Sequence, residues 1–534
     1  FNFSLVNHNP PIADLLDCID SSERTHELFA RLIKNNTEQR GILYTSKADI
    51  VGFKNPEELA EKYNNVLYHR HQYARIEIFK NHFYIKEYDE NVYEIIYKLK
   101  KYAESGIKNY THSVDLWMKN SGLIIDCDEK KNALRNLFKN SKVAFIYGAA
   151  GTGKSTMINY ISSLFKDKQK IFLANTNPAV ENLRRKVTAE HAEFVTITKF
   201  LSKDVSNDCD ILCLDECSTI SNRDMVRVLQ RAQCKLLVLV GDIYQIESIL
   251  FGNWFNIAYK VMPKDSVAEL TRPHRTTVQG LIEVWNKVRE ITEDRLEFIT
   301  RNGLSSTLDE SIFSRTEEDE IVLCLNYDGI YGINNINKFL QSNNVNPSIN
   351  WGVLSYKVGD PVLFNESNRF APLVYNNLKG KILQIEEEED CIYFTIEVYT
   401  VLNELDVIGF DLELKESVTD ETSVIRFKVG RGGDGNDDND NVENVVPFQV
   451  AYAISIHKAQ GLEYESVKVV ITSEIEEMVS HNIFYTAITR AKSKLKIYWS
   501  PETEKRILEN MKVQFNDKDY QLFKAKYKEA LLKS

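Results

Sequence analysis

The residues that most directly indicate chemistry are GAAGTGKS at 148–155, between the apolar run KVAFIY and the helix-like stretch TMINYISSLF. They fit the pattern G-x-x-x-x-G-K-[ST], in which glycines let successive backbone N–H groups face phosphate oxygens and the lysine reaches the β- and γ-phosphates. The following helix points its positive end at the anion. We predict a nucleotide site formed by Gly148, Ala149, Ala150, Gly151, Thr152, Gly153, Lys154, Ser155 and Thr156.

Two further segments supply groups that such a loop lacks. ILCLDE at 211–216 ends an apolar strand in Asp215, which with Ser155 fits the ligands of Mg²⁺, and in Glu216, which fits the base that orients an attacking water. LVLVGDIYQI at 237–246 carries Gln245, whose amide can sense the γ-phosphate. The spacing predicts a hydrolytic site in which Lys154, Asp215, Glu216 and Gln245 act on the nucleotide.

The elements that must position these side chains are apolar strands. From about 123 to 268, the runs KVAFIY, KIFLAN, DILCLDE and KLLVLVGD alternate with helical stretches, which is typical of buried parallel strands in a doubly wound sheet. Ligands bind at the carboxyl ends of such strands, where the motifs fall. The runs EIVLCLN, VKVVITS and KLKIYWS predict a second α/β domain, interrupted by the alternating strands of a small β-module.

Composition limits the class of protein. A chain of 534 residues that is 43% hydrophobic and 27% charged has material for three or four globular domains. It has no run near the roughly 20 apolar residues that span a bilayer, so we expect no membrane partner. Eight irregularly spaced cysteines indicate free thiols and a cytoplasmic location. A net charge of −11 argues against a protein that coats nucleic acid with its whole surface, but allows a basic channel.

The motifs, in order, resemble those of the superfamily 1 helicases, most closely the RecD-like branch, over roughly residues 124–500. GAAGTGKS resembles motif I, FLANTNPAVENL motif Ia, TITKFL motif Ib, LDEC motif II, VGDIYQI motif III and ELTRPHRT motif IV. AYAISIHKAQGLEYESV and YTAITRAK resemble motifs V and VI. The β-module, with VGDPVLF and VYNNLKGKI, resembles the SH3-like insertion of the same branch.

The resemblance implies two RecA-like domains with ATP and Mg²⁺ in the cleft between them. By position, Arg275 and Arg490 are the arginine fingers that stabilise the departing γ-phosphate, with Arg272 as a rival to Arg275. Gly461 and Glu463 fall where motif V couples the nucleotide to the nucleic-acid track. Phosphate contacts are expected from Thr176, Asn177, Thr196, Thr198, Ser455, His457 and Lys458.

Trp254, beside Phe251 and Phe255, is a further candidate for the track. Its ring can offer a base a stacking face, although aromatic clusters are more often part of a core.

The predicted fold class is α/β, with two RecA-like parallel-sheet motor domains, an SH3-like β insertion and an α+β N-terminal domain. The N-terminal domain, of unknown role, takes residues 1–122 and the first motor domain residues 123–268. The second motor domain takes residues 269–359 and 447–500, interrupted by the insertion and an acidic linker at 360–446. A helical tail completes the chain at 501–534.

Two features depart from the family pattern. Lys130 stands where this family carries an adenine-reading glutamine, so that adenine is read differently or the enzyme is less selective among nucleotides. The segment LSKDVSND, between motif Ib and the motif II strand, leaves little room for a strand-splitting hairpin. Translocation is unaffected, but unwinding of a duplex then needs a wedge from the N-terminal region or a partner.

The function predicted from this resemblance is an ATP-dependent translocase or helicase that moves on single-stranded DNA, 5′→3′ by resemblance alone. One alternative is a superfamily 1 RNA helicase, since ANTNPAVENL also resembles motif Ia of the helicases related to nonsense-mediated decay. The other is a nucleic-acid-sensing ATPase subunit that gates a partner, such as a nuclease or another complex subunit, without processive unwinding.

Overall fold

The computed structural model describes residues 18, 23–149, 151–202, 206–246, 248, 250–272, 276–365, 369–371, 373–417, 419–431, 444–511 and 517–528. The chain begins with a small α+β unit, whose three strands form an antiparallel sheet. Its elements are α1 (Thr25–Arg40), β1 (Thr45–Ser46), α2 (Pro56–Val66), β2 (Ile76–Phe79), β3 (His82–Ile85), α3 (Lys86–Ala103) and α4 (Tyr110–Asn120).

A six-stranded parallel sheet follows. Its elements are α5 (Asp128–Asn136), β4 (Val143–Gly148), α6 (Lys154–Leu164), β5 (Lys170–Ala174), α7 (Asn177–Lys186), β6 (Ala192–Thr196), α8 (Ile197–Leu201), β7 (Asp208–Leu214), α9 (Asn222–Arg231), β8 (Gln233–Gly241), α10 (Trp254–Val261) and β9 (Val267–Leu270). The strand order is β6–β5–β7–β8–β4–β9 and every pairing is parallel.

Both faces of this sheet are packed, as its continuous apolar strands predict. Val143 and Phe145 of β4 enter one hydrophobic core, and the alternate residues Ala144 and Ile146 enter another on the opposite face. The carboxyl ends of the central strands are therefore held rigidly between two cores.

The second parallel sheet begins next and is interrupted by β structure. The elements up to the end of the interruption are α11 (Gln279–Glu290), α12 (Arg295–Arg301), β10 (Ser305–Ser306), β11 (Glu320–Cys324), α13 (Ile333–Ser342), β12 (Ser348–Trp351), β13 (Leu354–Lys357), β14 (Pro361–Phe364), β15 (Lys379–Glu387), β16 (Cys391–Val398), β17 (Glu413–Lys415), β18 (Ser423–Gly430) and β19 (Phe448–Val450). β12 and β13 form a hairpin, and β14–β19 form an antiparallel sheet of order β17–β18–β16–β15–β14–β19.

The chain then completes the second sheet. The remaining elements are β20 (Ala453–Ser455), β21 (Tyr464–Val470), α14 (His481–Ile488), β22 (Ala491–Tyr498), α15 (Pro501–Asn510) and α16 (Asp517–Lys526). The strand order is β10–β22–β21–β11–β20, again entirely parallel. The predicted fold class, two parallel α/β domains with an antiparallel insertion and an α+β N-terminal part, is confirmed.

The N-terminal unit is tied closely to the first parallel sheet. Val92, Ile95 and Leu99 of α3 belong to the same hydrophobic core as Val143 and Phe145 of β4. The rigid body that carries the first set of motifs thus includes a helix from the region without chemical motifs. Among the described helices, none is both long and apolar enough to cross a membrane.

The last helix returns to this N-terminal unit. The Asp519 carboxylate on α16 accepts the N–H groups of Leu43 and Tyr44 at 2.7 and 3.0 Å. The Lys526 ammonium donates to the buried Asp89 carboxylate at 2.6 Å. Helix α15, only a short segment earlier, belongs to the core of the second sheet. The C-terminal tail thereby links the second sheet to the N-terminal unit.

Asp519→Ala should destabilise the fold by about 2–4 kcal/mol, because it leaves two buried backbone N–H groups without their charged acceptor. The measurement is urea unfolding, with Asp517→Ala as the control on the same helix. The Asp517 side chain is exposed and pairs with Lys260, so its loss should stay within about 0.5 kcal/mol. Equal effects of the two substitutions would contradict this role of Asp519.

Candidate nucleotide site

Glycine conformations shape the loop between β4 and α6. Gly151 and Gly153 have φ values of 77° and 86°, in the left-handed region that is open to glycine without strain. A Cβ on Gly148 would lie 2.5 Å from Thr152 Oγ1, so the close turn after β4 requires glycine there. The loop therefore curves tightly enough for its N–H groups to converge.

Helix α6 starts at Lys154, directly behind the loop, so its first unpaired N–H groups face the same concavity. Lys154 Nζ donates to the carbonyl oxygens of Gly148 and Ala149 at 2.8 and 3.1 Å. The loop and the start of the helix thus form the concave surface that the sequence predicts for phosphate binding. Ala150 lies outside the described residues.

Strand β7 brings two carboxylates to the carboxyl edge of the sheet. Glu216 has a φ of 52°, an uncommon conformation for a residue with a side chain and one that persists mainly at functional sites. Glu216 Oε2 is buried and has no hydrogen-bond partner among the described residues. Burial and the Glu216 charge raise the pKa of Asp215 to about 6, although Lys154 and Lys186 oppose the shift. The pair is poised to receive positive charge.

Strand β8 adds a third carboxylate beside these two. Asp242 Oδ2 is buried and, within the described part of the chain, unpartnered, and burial raises the pKa of this group. Gln245, in the turn that follows, is also buried. The next residue, Ile246, donates its N–H to Thr486 Oγ1 on α14 at 2.9 Å. Motif III therefore contacts the second domain directly.

The second sheet contributes an arginine and an acidic loop. Arg490, after α14, is buried, and donates to the carbonyl oxygens of Thr486 and Leu462 at 3.0 and 3.2 Å. These bonds fix the guanidinium against the loop that contains Gly461 and Glu463. Gly461 has a φ of 75°, so the loop turns there in a conformation that favours glycine.

These groups from the two sheets line one cleft. Its lining consists of Gly151, Gly153, Lys154, Ser155, Thr156, Asn182, Lys186, Asp215, Glu216, Gln245, Gly461, Glu463 and Arg490. The cleft thus combines the phosphate cradle and carboxylates of the first sheet with the arginine of the second, which is the arrangement that hydrolysis of a nucleoside triphosphate requires.

Two members of this lining were not predicted from the sequence. Asn182 and Lys186 lie on α7, and Lys186 Nζ is 3.6 Å from the Glu463 carboxylate of the second domain. Lys186 closes a helix in the run RRK, where basic residues ordinarily complement the helix dipole, so its sequence carried no distinct signal.

Two family models match the chain in these same regions. One, described as an AAA domain, matches residues 127–309, and the other, described as a UvrD-like helicase C-terminal domain, matches residues 450–498. The RecBCD enzyme subunit RecD of Buchnera aphidicola is 23% identical over 503 residues, covering 72% of this chain and 78% of the relative. The resemblance to the RecD-like branch of the superfamily 1 helicases, which the motifs indicate, is confirmed.

Other proteins are similar to this chain over comparable stretches. An uncharacterized protein of Methanocaldococcus jannaschii is 24% identical over 448 residues, which cover 69% of this chain but only 37% of that longer relative. The ATP-dependent DNA helicase Pif1 of Campylobacter jejuni is 23% identical over 438 residues, covering 66% of this chain and 88% of the relative. The crystal structure of Pif1 from Candida albicans has a TM-score of 0.43 at 18% identity, covering 72% of this chain and 99% of that one.

Lys130, at the position of the family's adenine-reading glutamine, supports the phosphate loop. It is 1% exposed, and its ammonium pairs with Asp126 at 2.5 Å. A Cβ on Gly153 would lie 2.5 Å from Lys130 Nζ, so the lysine packs directly beneath the loop. At the position where the resemblance implies a base-reading amide, this chain therefore carries a buried lysine paired with a partly exposed carboxylate.

The predicted arginine fingers fare differently. Arg490 lines the cleft, whereas Arg275 lies outside the described residues and its role stays a prediction. Its rival Arg272 is exposed.

The predicted track residues lie where strands end. Thr176 lies two residues after β5, and its hydroxyl accepts the Ala179 N–H and so caps α7. Thr196 is the last residue of β6, and its hydroxyl accepts the Lys199 N–H and caps α8. Ser455 closes β20 and is buried, with its hydroxyl accepting the Lys458 N–H at 3.2 Å. Asn177, Thr198 and His457 are exposed, and Lys458 is half-buried.

Trp254 does not offer a stacking face. Its side chain is 0% exposed, and its indole N–H donates to the Ile220 carbonyl at 2.9 Å. Phe251 and Phe255 are buried in the same core. The prediction of base stacking at Trp254 is therefore wrong. The aromatic cluster fixes the segment after motif III, because each ring removes a large apolar area from water when it is buried in the core.

Asp215→Asn should stabilise the protein without nucleotide by up to about 3 kcal/mol at about pH 8. The folded carboxyl keeps its proton to about pH 6, whereas the unfolded one loses it near its ordinary pKa of 3.8, so wild-type stability falls across that interval and stays reduced above it. The measurement is urea unfolding at about pH 4 and about pH 8, and the difference between variant and wild type should vanish at the lower pH. If the difference in stability between variant and wild type were the same at the two pH values, the raised pKa of Asp215 would be contradicted.

Proposed function

We propose that this chain is a motor that hydrolyses ATP to move along single-stranded DNA, in the 5′→3′ direction. The observation that carries the proposal is the single cleft lined by Lys154, Asp215 and Glu216 from one parallel sheet and Arg490 from the other. A hydrolytic site divided between two bodies links each change of the nucleotide to a change in their separation.

The roles of the cleft residues follow from their positions. Lys154 and the loop N–H groups bind the phosphates, and the buried, unpartnered Glu216 Oε2 orients the attacking water. Arg490 stabilises the charge that develops on the γ-phosphate. Ser155 and Asp215 would hold Mg²⁺, which neutralises the phosphate oxygens, and the negative charge of the buried carboxylates fits a divalent cation.

Two contacts transmit closure of the cleft. The first is the hydrogen bond from the N–H of Ile246, the residue after Gln245, to Thr486. Thr486 lies four residues before Arg490 in the sequence. Across the opening, the Lys186 ammonium attracts the Glu463 carboxylate at 3.6 Å. The negative charge of a bound nucleotide would compete with Glu463 for the Lys186 ammonium. The track residues at the strand ends are carried along with each sheet.

The choice of DNA is supported by the names of the relatives, a RecBCD subunit and an ATP-dependent DNA helicase. The direction rests on the resemblance to the RecD-like branch. Eight free cysteines support a cytoplasmic location, and the RecBCD relatives support a protein partner, such as a nuclease subunit.

A sensing ATPase that gates a partner is the second candidate. One observation favours it: α8 ends at Leu201 and β7 begins at Asp208, which leaves little chain for a strand-separating hairpin at that point. Such a protein hydrolyses ATP on binding nucleic acid but does not travel along it.

The first test is the ATPase rate without nucleic acid, with single-stranded DNA and with single-stranded RNA. We expect strong stimulation by DNA and a loss of about 100-fold or more in Glu216→Gln, because the water loses its general base. Glu502→Gln, at an exposed glutamate, is the matched control and should be unaffected. Stimulation by RNA in place of DNA would support the RNA helicase, and no stimulation by either would reject the motor for this chain.

Displacement of streptavidin from a biotinylated oligonucleotide separates the motor from the sensor. A 5′→3′ motor should remove streptavidin from the 3′ end, in an ATP-dependent manner, and leave the 5′ end blocked. Removal from the 5′ end would reverse the direction. ATP hydrolysis without removal from either end would favour the sensing subunit.

A half-buried lysine connects the β insertion to the cleft. Lys379 Nζ on β15 lies 5.1 and 4.1 Å from the ring centroids of Tyr399 and Tyr464, and burial lowers the pKa of this group. It pairs with Asp319 at 2.7 Å and donates to the Glu463 carbonyl at 3.3 Å. The insertion thereby holds the backbone of the residue whose side chain faces Lys186.

Lys379→Met should reduce the stimulation of hydrolysis by DNA about 5- to 100-fold, because motif V loses its fixed link to the insertion. The unstimulated rate should change little. Lys381→Met is the control on the same strand, where the lysine pairs with Glu318 near the surface. The measurement is the ratio of stimulated to unstimulated kcat. A similar loss in both variants would contradict the role of Lys379.

A further inference from the structure

The N-terminal unit carries a row of exposed rings and cations that the cleft and track do not use. It lies between α2 and β2, in the stretch YHRHQYAR at 68–75, where His69–Ala74 form a short 3₁₀ segment. The side chains of Tyr68 and Tyr73 are 54% and 51% exposed, and His69, Arg70 and His71 are exposed as well. Large rings usually bury most of their surface, so exposed neighbours of this kind indicate an interaction surface.

The rings form a continuous series. Tyr68 and His69 have centroids 4.2 Å apart, Tyr68 and His71 5.7 Å, and His71 and Tyr73 5.9 Å. Each ring is therefore braced by the next one while keeping a large part of its surface open to solvent. We call Tyr68, His69, Arg70, His71, Tyr73 and Arg75 the ring–cation surface.

Backbone and side-chain bonds hold the segment in place. The Asn64 amide brackets Ile76, donating to its carbonyl at 2.8 Å and accepting its N–H at 2.9 Å. The Lys86 N–H donates to the Arg75 carbonyl at 2.9 Å, at the start of α3. Helix α3 belongs to the core of the first parallel sheet. The surface is thus fixed relative to the first motor domain before any ligand binds.

The charge on this surface is positive and largely uncompensated. Arg70 has no carboxylate partner among the described residues, and Arg75 donates to the neutral Gln72 amide at 3.1 Å. The stretch 68–75 contains no Asp or Glu, and Glu77, the first carboxylate after it, accepts the Tyr84 hydroxyl at 2.8 Å. In a chain with a net charge of −11, two arginines beside exposed rings, neither paired with a carboxylate among the described residues, complement a polyanion that carries planar bases.

We propose that the ring–cation surface is a second binding site for an unpaired nucleic-acid strand. Bases stack on Tyr68 and Tyr73, and Arg70 and Arg75 contact phosphates, a combination that binds single strands without reading their sequence. The site is separate from the track across the two parallel sheets. It rests on the proposed function, since the motor is what brings a strand to the protein.

The proposal is tested with the full chain in two double variants, Tyr68→Ala/Tyr73→Ala and Arg70→Ala/Arg75→Ala. The controls are Tyr327→Ala, whose ring is 50% exposed in the second domain, and Arg301→Ala, at another exposed arginine. Fluorescence anisotropy with a labelled poly-dT oligonucleotide, long enough to reach both sites, gives Kd over a salt series. Crosslinking of a bromodeoxyuridine oligonucleotide, mapped by mass spectrometry, gives the residues touched.

We expect the tyrosine variant to raise Kd about tenfold or more and to lose crosslinks at 68–75. The arginine variant should reduce the slope of log K against log salt by about 1.4, because two phosphate contacts on a single strand are lost. The controls should leave both quantities unchanged. Thermal unfolding of each variant shows whether the fold is retained.

Crosslinks confined to the parallel sheets, with Kd and salt slope unchanged in both variants, would overturn the proposal. Loss of self-association in sedimentation, without a change in DNA affinity, would also overturn it and show a contact between protein copies. The motor is judged separately: wild-type ATPase that ignores DNA rejects the proposed function, whereas normal stimulation at saturating DNA with altered Kd and salt slope isolates the defect to this surface.

Discussion

The structure depends on three carboxylates, one buried and two half-buried, that lie at the carboxyl ends of two neighbouring strands. Asp215 and Glu216 line the cleft, and Asp242 lies at the end of the neighbouring strand. Glu216 Oε2 and Asp242 Oδ2 have no hydrogen-bond partner in the described part of the molecule. Burial of acidic groups is unfavourable unless cations approach them. Lys154 and Lys186 from the same domain supply part of that charge, and Arg490 faces the same cleft from the other sheet. The electrostatics of the cleft therefore favour bringing the second domain, a cation or both towards the first.

A few specific contacts join the two domains around this cleft. Lys186 reaches Glu463 across the opening, and Lys379 of the insertion holds the Glu463 backbone from behind. The Ile246–Thr486 hydrogen bond joins the turn after Asp242 to the helix before Arg490. Packed elements have discrete arrangements. In the proposed motor, these contacts would pass a local change in charge on as a rigid-body movement.

Much of this site could be predicted from local sequence. The loop 148–155, the strand ends at Asp215 and Asp242, and the motif around Arg490 each combine a glycine or charge with an apolar strand, and such patterns place residues at a known edge of a sheet. The role of Lys186 could not be predicted, because a basic residue at the end of a helix is ordinary and its partner Glu463 is remote in sequence. Trp254 was wrongly assigned because sequence does not distinguish an exposed aromatic cluster from a buried one. The docking of Asp519 onto Leu43 and Tyr44 joins opposite ends of the chain, and no local pattern encodes such a contact.

The C-terminal tail limits the distance by which the two parallel-sheet domains can separate. Helix α15 is fixed in the second sheet's core, and α16 is fixed on the unit that shares a core with the first sheet. Seven residue steps separate Asn510 from Asp517, so covalent geometry allows these two anchors to be at most about 25 Å apart. This connection therefore sets a maximum separation between the two parallel-sheet domains, and any opening of the cleft between them has to stay within it.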